Sequence, residues 1–254
     1  MTDQRTEPDP LYDAVAATYD HDHYGLIAAG RNQSATQLHD LPFRGRTALD
    51  IGCGTGTFLA ELHEAYPDCL LWGIDPSTAM LEVAASKVPA TLLPGTIDDV
   101  VPAEKFDLIS FHFVLAYESI EKLLDYCAEH LEPSGVVAIA TTTMDNIPAS
   151  AAACDFVDQS VLDEHFRIPA SRDELRARIE AHGAFRVVDY RSHIRELEFT
   201  DTDAIREFVF ESNWFRGFAD AFRDEFEATL AVVPLPHRDL FQSHALLLSR
   251  RSAH

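Results

Sequence analysis

Short apolar runs alternate with amphipathic segments along the chain. The short runs predict strands, and apolar residues repeated every three or four positions predict helices. Five strands are predicted, at Thr47–Ile51, Leu70–Ile74, Thr91–Leu93, Phe106–Phe111 and Gly135–Thr141. Helices are predicted between them, over Phe58–Tyr66, Thr78–Lys87 and a segment that ends near Leu131. Alternation at this spacing is typical of a parallel sheet covered by helices on both faces.

A second group of elements follows this alternating region. One more helix is predicted over Ser171–His182, with Ser171 placed to cap its N terminus and Gly183 placed to end it. Strands are predicted at Phe185–Leu197 and His244–Ser249. Together these elements predict a doubly wound α/β fold, with a mostly parallel seven-stranded sheet whose last strand is antiparallel.

Two helical segments lie outside the predicted sheet. The segment at about 201–232 has aromatic residues at helical spacing, which is typical of core packing, and its position makes it a candidate substrate cover. These residues are Phe208, Phe210, Trp214, Phe215, Phe218, Phe222 and Phe226. The N-terminal segment 1–45 is also broadly helical, with interruptions expected near Gly25 and Gly30. We therefore expect a helical cap segment at 1–45 and an α/β domain at 46–254 that carries the insertion.

Composition narrows the classes of function. The 254 residues are 46% hydrophobic, which is enough for a core, and carry a net charge of −22. A surface this acidic repels phosphate backbones, so nucleic acid is not expected as a partner. No apolar run approaches the roughly 20 residues of a membrane helix, and the polar N terminus lacks a secretory core. The four cysteines show neither metal-binding nor disulfide spacing. We expect a cytoplasmic monomer or homodimer with reduced thiols, no bound metal and no membrane partner.

A glycine-rich loop follows the first predicted strand, with the pattern Asp50-x-Gly52-x-Gly54-x-Gly56. In an open α/β sheet, ligands bind at the carboxyl ends of the strands, where the first loop turns into a helix. Glycines allow the backbone to turn sharply and to approach a ligand closely. Asp75 ends the second strand, at the spacing expected of a carboxylate that binds ribose hydroxyls.

The spacing of the glycines separates two classes of cofactor. Dinucleotide sites have the pattern GxGxxG, because a pyrophosphate lies directly on the helix N terminus. This chain has GxGxG, preceded by the acidic Asp50. A carboxylate suits a cofactor that has an ammonium group and no phosphate. The loop therefore favours S-adenosylmethionine (AdoMet) and disfavours NAD.

Five motifs, in order, resemble the class I AdoMet-dependent methyltransferase superfamily, in its small-molecule type. They are Tyr12-Asp13-x-x-Ala16-x-x-Tyr19-Asp20, Thr47–Gly56, Ile74-Asp75-Pro76-Ser77 with Met80-Leu81, Phe106–Ile109 with Leu115, and Leu131-Glu132-Pro133-Ser134-Gly135. The resemblance covers roughly residues 11–145. It implies a Rossmann-like methyltransferase fold.

The resemblance also implies cofactor contacts. Asp50 would support the amino group of AdoMet, the three glycines would admit its methionine end, and Asp75 would hold the ribose. Gly95 is present where the family often has Gly-Asp-Ala, but Thr96 replaces the acid, so Asp98 is taken as its substitute. The full set expected at the cofactor is Asp50, Gly52, Cys53, Gly54, Gly56, Asp75, Pro76, Met80, Thr96, Ile97, Asp98 and Phe111.

Two side chains are candidates for contact with the reacting groups. His112 ends the fourth strand at the predicted crevice, where a structural role explains it equally well and a role as base is less favoured. Tyr19 is a candidate lid residue by resemblance, together with His23. For Tyr117, after the fourth strand, a substrate contact and a core contact are hard to separate.

The predicted reaction is transfer of a methyl group from AdoMet to a small-molecule acceptor, with S-adenosylhomocysteine as the product. A sulfonium is already activated, so the protein mainly aligns the acceptor and excludes water. The sequence leaves O-, N- and C-methylation open. The alternatives are a protein that binds AdoMet without transferring methyl, for structure or to promote a rearrangement, a tRNA or protein methyltransferase, and a nicotinamide-dependent reductase.

Overall fold

The computed structural model describes residues 10–21, 25–40, 43, 45–143, 168–211 and 223–251. The strands are β1 Thr47–Ile51, β2 Leu70–Asp75, β3 Thr91–Pro94, β4 Phe106–His112, β5 Leu131–Thr141, β6 Phe185–Phe199 and β7 His237–Arg250. The helices are α1 Pro10–Val15, α2 Leu26–Asp40, α3 Thr57–Ala65, α4 Thr78–Lys87, α5 Ile120–His130, α6 Arg172–His182, α7 Thr202–Glu211 and α8 Arg223–Leu230, with a 3₁₀ turn at Val114–Ala116.

The strands form one seven-stranded sheet in the order β3-β2-β1-β4-β5-β7-β6. The pairs from β3 to β5 are parallel, and β7 is antiparallel to both β5 and β6. The predicted fold class is therefore confirmed. The order reverses between β1 and β4, so the carboxyl ends of these strands flank the crevice where ligands bind in open α/β sheets.

Alternate residues of the central strands supply two separate cores, because successive side chains of a strand point to opposite faces. On one face, Leu49 and Ile109 pack in a cluster with Leu123 of α5 and Leu175 of α6. On the other face, the neighbours of these strand residues pack against α2, α3 and α4. That second cluster includes Ala48, Leu108, Leu38, Leu59 and Leu81.

The caps predicted from sequence are present. The Ser171 hydroxyl accepts a hydrogen bond from the backbone N–H of Glu174 at 3.2 Å, and Gly183 ends the helix with φ 82°. Gly25 precedes α2 with φ 64°, as the predicted interruption requires.

The expected interruption at Gly30 is wrong, because this residue lies inside α2. A Cβ at Gly30 would lie 2.8 Å from Cζ of Phe113. The glycine therefore permits close packing of the helix on the sheet. The strands β5 and β7 begin well before their predicted starts, at Leu131 and His237.

The insertion contributes α7 and α8, which pack on the extension of β6 and β7 beyond β5. Phe208 and Phe226 are buried there with Leu197, Phe199 and Phe241. Hydrophobic packing therefore explains these two aromatic residues. The side chain of Phe210, and Trp214, Phe215, Phe218 and Phe222, lie outside the described residues.

Three further sequence expectations concern membranes, metals and thiols. Within the described ranges, no helix is long and apolar enough to cross a membrane. The same residues contain no group of three metal-binding side chains placed to hold an ion. Cys53, Cys69 and Cys127 are buried and form no disulfide, and Cys154 lies outside the described residues.

Candidate active site

The glycine loop between β1 and α3 has three left-handed residues, Gly52, Gly54 and Gly56, with φ of 68°, 51° and 72°. Packing also excludes side chains at two of them. A Cβ would lie 2.6 Å from Val114 Cγ2 at Gly52 and 2.8 Å from Ala84 Cβ at Gly56. At Gly54 a Cβ would meet no atom within 4 Å. Gly54 is thus the loop residue that faces open space at the carboxyl edge of the sheet.

This difference predicts losses of stability of different size for two alanine substitutions. Gly56→Ala should lower the free energy of unfolding by about 3 kcal/mol, because left-handed strain and a steric clash add. Gly54→Ala should cost only about 1 kcal/mol, since strain acts alone. Urea unfolding measures both values. Equal losses of stability would contradict the packing described at Gly56.

Asp75 ends β2 and joins the second strand to the glycine loop. One carboxylate oxygen accepts a hydrogen bond from Gly54 N at 2.8 Å, and the other accepts one from Ser77 N at 2.9 Å. Burial raises the pKa of Asp75 in spite of these two donors. Each oxygen retains acceptor capacity, so the carboxylate can bind further hydroxyl groups beside Gly54.

Asp50 and His112 lie side by side on neighbouring strands. Asp50 accepts a hydrogen bond from the Ser110 hydroxyl at 2.7 Å, and its Oδ1 lies 3.8 Å from His112 Nδ1. Burial raises the pKa of Asp50 to about 7 and lowers the pKa of His112 to about 3. The short separation therefore does not represent an ion pair, because the imidazole is neutral at physiological pH.

His112 also has an unsatisfied ring nitrogen. Its Nε2 is buried without a hydrogen-bond partner, and its ring packs edge-on against Phe58 at 4.3 Å between centroids. A buried polar atom without a partner is uncommon in a folded protein and indicates strain, a functional role or a missing ligand. His112 Nε2 is therefore a candidate for a hydrogen bond to an acceptor.

Arg31 of α2 is a residue of this site that sequence reasoning missed. Its Nε donates to Glu61 Oε1 of α3 at 2.9 Å. Its positive charge is the second influence on the pKa of His112, after burial, and a smaller influence on the pKa of Asp50, where burial, Ser110 and Asp75 come first. The preceding residue, Gly30, packs against Phe113 directly after β4. The position of Arg31 depends on the packing of α2 across the sheet, which no local motif specifies.

The N-terminal segment lies over the glycine loop and the end of β2. Asp13 accepts a hydrogen bond from the Ser77 hydroxyl at 2.6 Å. Asp20 accepts one from the Thr55 hydroxyl at 2.6 Å and pairs with Lys87. These contacts place α1 and the turn after it as a cover on the crevice. His23 lies outside the described residues.

Two tyrosines of this cover, Tyr12 and Tyr19, lie close to each other, and Tyr12 also contacts Tyr117 outside the cover. The rings of Tyr12 and Tyr19 are 6.0 Å apart, and the hydroxyls of Tyr12 and Tyr117 share a hydrogen bond. Tyr117 follows β4, so this bond joins the N-terminal segment to the opposite side of the crevice. Met80, expected at the cofactor, is buried in a cluster with Val15 and Ala16 of the N-terminal segment.

The turn after β3 contains Asp98, an expected cofactor residue, and its acidic neighbour Asp99. Asp99 accepts hydrogen bonds from Thr96 N at 2.9 Å and from the Thr96 hydroxyl at 2.8 Å. Asp98 is exposed and pairs with Lys122 at 2.6 Å. Ile97, between Thr96 and Asp98 in the chain, is buried. Asp99, rather than Asp98, therefore shapes the turn.

Other expected cofactor residues place their backbone, but not their side chain, at the crevice. The Cys53 sulfur lies against Gly73 of β2, where a Cβ would be 2.7 Å from it. Phe111 is fully buried in the core cluster shared with α5. Pro76 is exposed directly after Asp75.

Phe113 is a second residue that sequence reasoning missed. It has a left-handed backbone, with φ 59°, and its N–H donates to Ala140 O at 2.7 Å. A left-handed phenylalanine is uncommon, and such strain concentrates at functional sites. The ring packs against the cluster formed by α7, α8 and the β6–β7 extension. Phe113 therefore links the end of β4 to the insertion.

Sequence comparison gives the same assignment as the motifs. Residues 48–135 match the family described as Methyltransferase domain. The dTDP-3-amino-3,4,6-trideoxy-alpha-D-glucopyranose N,N-dimethyltransferase of Streptomyces venezuelae is 33% identical over 139 residues, covering 48% of this chain and 57% of that protein. The trans-aconitate 2-methyltransferase of Deinococcus radiodurans is 32% identical over 127 residues, covering 48% of each. The chain spans about half the length of these curated relatives.

The fold itself has solved counterparts. The plantazolicin methyltransferase BpumL, crystallised with a triazolic desmethyl analogue and SAH, superimposes with a TM-score of 0.54 at 20% identity. The match covers 96% of this chain and 92% of that one. At this identity the likeness concerns the fold, and it extends beyond residues 48–135.

Proposed function

We propose that the protein binds AdoMet through residues 48–135, which match the family described as Methyltransferase domain, and transfers a methyl group from AdoMet to a small-molecule acceptor. One observation carries the proposal. A side chain at Gly54 would meet no atom within 4 Å, and the Gly54 N–H donates to the Asp75 carboxylate. Asp50 lies beside His112 on the β1–β4 side, where the charge of Arg31 acts on it. This arrangement suits a phosphate-free nucleoside whose tail has both a positive and a negative charge.

Each charged group has a distinct partner in AdoMet. Asp75 would hold the ribose hydroxyls, and Asp50 would support the ammonium group. Arg31 would pair with the carboxylate, because it is a cation of α2 whose charge acts on Asp50. The N-terminal cap segment, 1–45, and the α/β domain, 46–254, would enclose the ligand between them.

Bound AdoMet supplies an electrophilic methyl group on sulfur. The acceptor lone pair forms a bond to the methyl carbon, the carbon–sulfur bond breaks, and S-adenosylhomocysteine leaves with the electron pair. His112 is neutral, so its Nε2 would accept a hydrogen bond from the acceptor and orient the lone pair. A nitrogen acceptor loses its proton after transfer. The low pKa of His112 makes it a positioning group rather than a strong base.

The acceptor would lie against Phe113, beneath the helical insertion. We expect Phe113→Gly to lower kcat/KM for the acceptor about tenfold through KM, because an apolar contact worth roughly 1–2 kcal/mol is lost. The affinity for AdoMet should stay unchanged. Glycine also relieves the left-handed strain, which offsets part of the lost packing. An equal change in AdoMet affinity would place Phe113 at the cofactor instead.

The proposed reaction is tested by the formation of S-adenosylhomocysteine from AdoMet. Small amines, amino-sugar nucleotides and tricarboxylates are supplied separately, beside tRNA and a protein mixture. We expect product with one class of small molecule, and loss of product in Asp75→Ala. Product with tRNA or protein alone would overturn the small-molecule assignment. AdoMet binding without product from any acceptor would favour the alternative of cofactor use without transfer.

A further inference from the structure

The strand at the end of the sheet, β6, pairs only with β7 among the described residues. β7 in turn pairs with β5 only from His244 to Ser249. Residues 193–199 and 237–243 therefore form a two-stranded ribbon that extends past the rest of the sheet. A strand edge of this kind offers backbone donors and acceptors to another strand.

The middle of β6 has an unusual pattern of exposure. Residues 192–196 are five consecutive exposed positions, and the Ile194 side chain is 56% exposed. A strand with one face on a core alternates between buried and exposed residues. This stretch does not alternate, so on both faces of the strand there is room for the side chains of a neighbouring strand to lie beside its own.

Two cross-strand pairings of this stretch are complementary when it pairs with itself, and Asp189 also pairs with Arg191 of its own chain at 2.9 Å. Residues 189–195 read Asp-Tyr-Arg-Ser-His-Ile-Arg. In an antiparallel pair of two identical strands centred on Ser192, Asp189 lies opposite Arg195, and Tyr190 lies opposite Ile194. Each pairing occurs twice by symmetry. Opposite-charge and aromatic–aliphatic cross-strand pairs both stabilise sheets.

We propose that a second copy of this chain pairs with β6 along residues 189–195, antiparallel and centred on Ser192. Asp189 and Arg195 are six positions apart, so they lie on the same face of the strand, as opposed residues of a pair must. The pairing closes as a two-fold symmetric dimer. It does not depend on the proposed reaction.

The length of the pairing limits its strength. The register of β6 against β7 shifts between Val187 and Asp189, which ends the regular stretch. An edge of seven residues lies at the low end of interface sizes, so we expect dimers at chain concentrations on the order of tens of micromolar. Sedimentation velocity over a hundredfold range of concentration measures this equilibrium.

A charge exchange tests the pairing. Arg195→Asp alone and Asp189→Arg alone each place like charges opposite one another twice, and should weaken dimerisation about tenfold. The double variant restores opposite charges and should restore the dimer. Arg186→Asp, on the same strand but beyond the register shift, is the matched control and should leave the dimer unchanged. A monomer at every concentration, or a dimer insensitive to the exchange, would overturn the proposal.

A cysteine at the symmetry centre tests the register directly. Ser192→Cys places two thiols opposite each other, within the range that a disulfide can bridge after oxidation. Glu196→Cys is equally exposed but would lie opposite Val188 of the other copy. We expect crosslinked dimer for Ser192→Cys and not for Glu196→Cys. Crosslinking of Glu196→Cys alone would contradict the proposed register.

Discussion

Replacing Asp75 with alanine is expected to weaken AdoMet binding about a hundredfold. The carboxylate already accepts hydrogen bonds from Gly54 N and Ser77 N, which orient both oxygens at the crevice. Two added hydrogen bonds from ribose hydroxyls to a charged acceptor are worth about 3 kcal/mol together, which corresponds to this change in the dissociation constant. Titration calorimetry with AdoMet measures it.

Stability must be separated from binding in this experiment. Asp75→Ala also leaves two backbone N–H groups without their acceptor, so urea unfolding is measured in parallel. Asp107→Ala is the matched control, because Asp107 also accepts hydrogen bonds from two backbone N–H groups, those of Arg46 and Thr47, but at the opposite end of β1 and β4 from the crevice. It should bind AdoMet within about threefold of the parent. A folded Asp75→Ala protein with unchanged affinity would remove Asp75 from the site.

AdoMet binding is also expected to strengthen as the pH rises toward 7. Burial raises the pKa of Asp50 to about 7. The charges of Asp75 and Glu61 also raise this pKa, and the hydrogen bond from Ser110 and the charge of Arg31 lower it. Below pH 7 the carboxyl is therefore mostly protonated. The cationic groups of AdoMet favour the ionised form of Asp50, so binding must release the proton of this carboxyl group. The dissociation constant should fall by up to about tenfold per pH unit between pH 5.5 and 7.

The effect on stability has the opposite sign. The native pKa of Asp50 lies above its value in the unfolded chain, so the native state retains the proton longer as pH rises. Stability from this group is present at low pH and is lost between about pH 4 and pH 7. Asp50→Asn removes the titrating group. We expect this variant to be at least as stable as the parent above pH 7.

Proton release identifies the group responsible. Calorimetry at pH 6 in two buffers with different ionisation enthalpies should give close to one proton released per AdoMet. His112 does not contribute, because burial lowers its pKa to about 3 and it stays neutral throughout this range. Asp50→Asn should bind without pH dependence. If that variant retains the full dependence, the titrating group is Asp75, whose pKa is also raised.

The parts of the fold that local chemistry specifies were predictable from sequence. Apolar strands separated by helices indicated the sheet class, and Ser171 caps the helix that it was expected to cap. Gly52, Gly54 and Gly56 occupy the left-handed conformations that their spacing indicates. These features depend on a few consecutive residues, so one sequence is enough to recognise them.

The features that were missed depend on contacts across the fold. Gly30 looks like a helix breaker, but the ring of Phe113 explains it, and this ring is 83 positions away along the chain. The charge of Arg31 acts on the pKa of Asp50 only because α2 packs over the sheet. Asp98 and Asp99 are adjacent acids, and only the geometry of the turn separates their partners. A pattern along the sequence does not show which distant residues meet in the folded chain.

The central claim is that the crevice at Gly54 and Asp75 binds a phosphate-free nucleoside with a charged amino-acid tail. Titration of the unaltered protein with AdoMet and, separately, with NADH tests it most directly. We expect one AdoMet bound per chain, displaced competitively by S-adenosylhomocysteine, and no heat of binding from NADH. Binding of NADH at this site, or the absence of AdoMet binding at millimolar concentration, would contradict the claim.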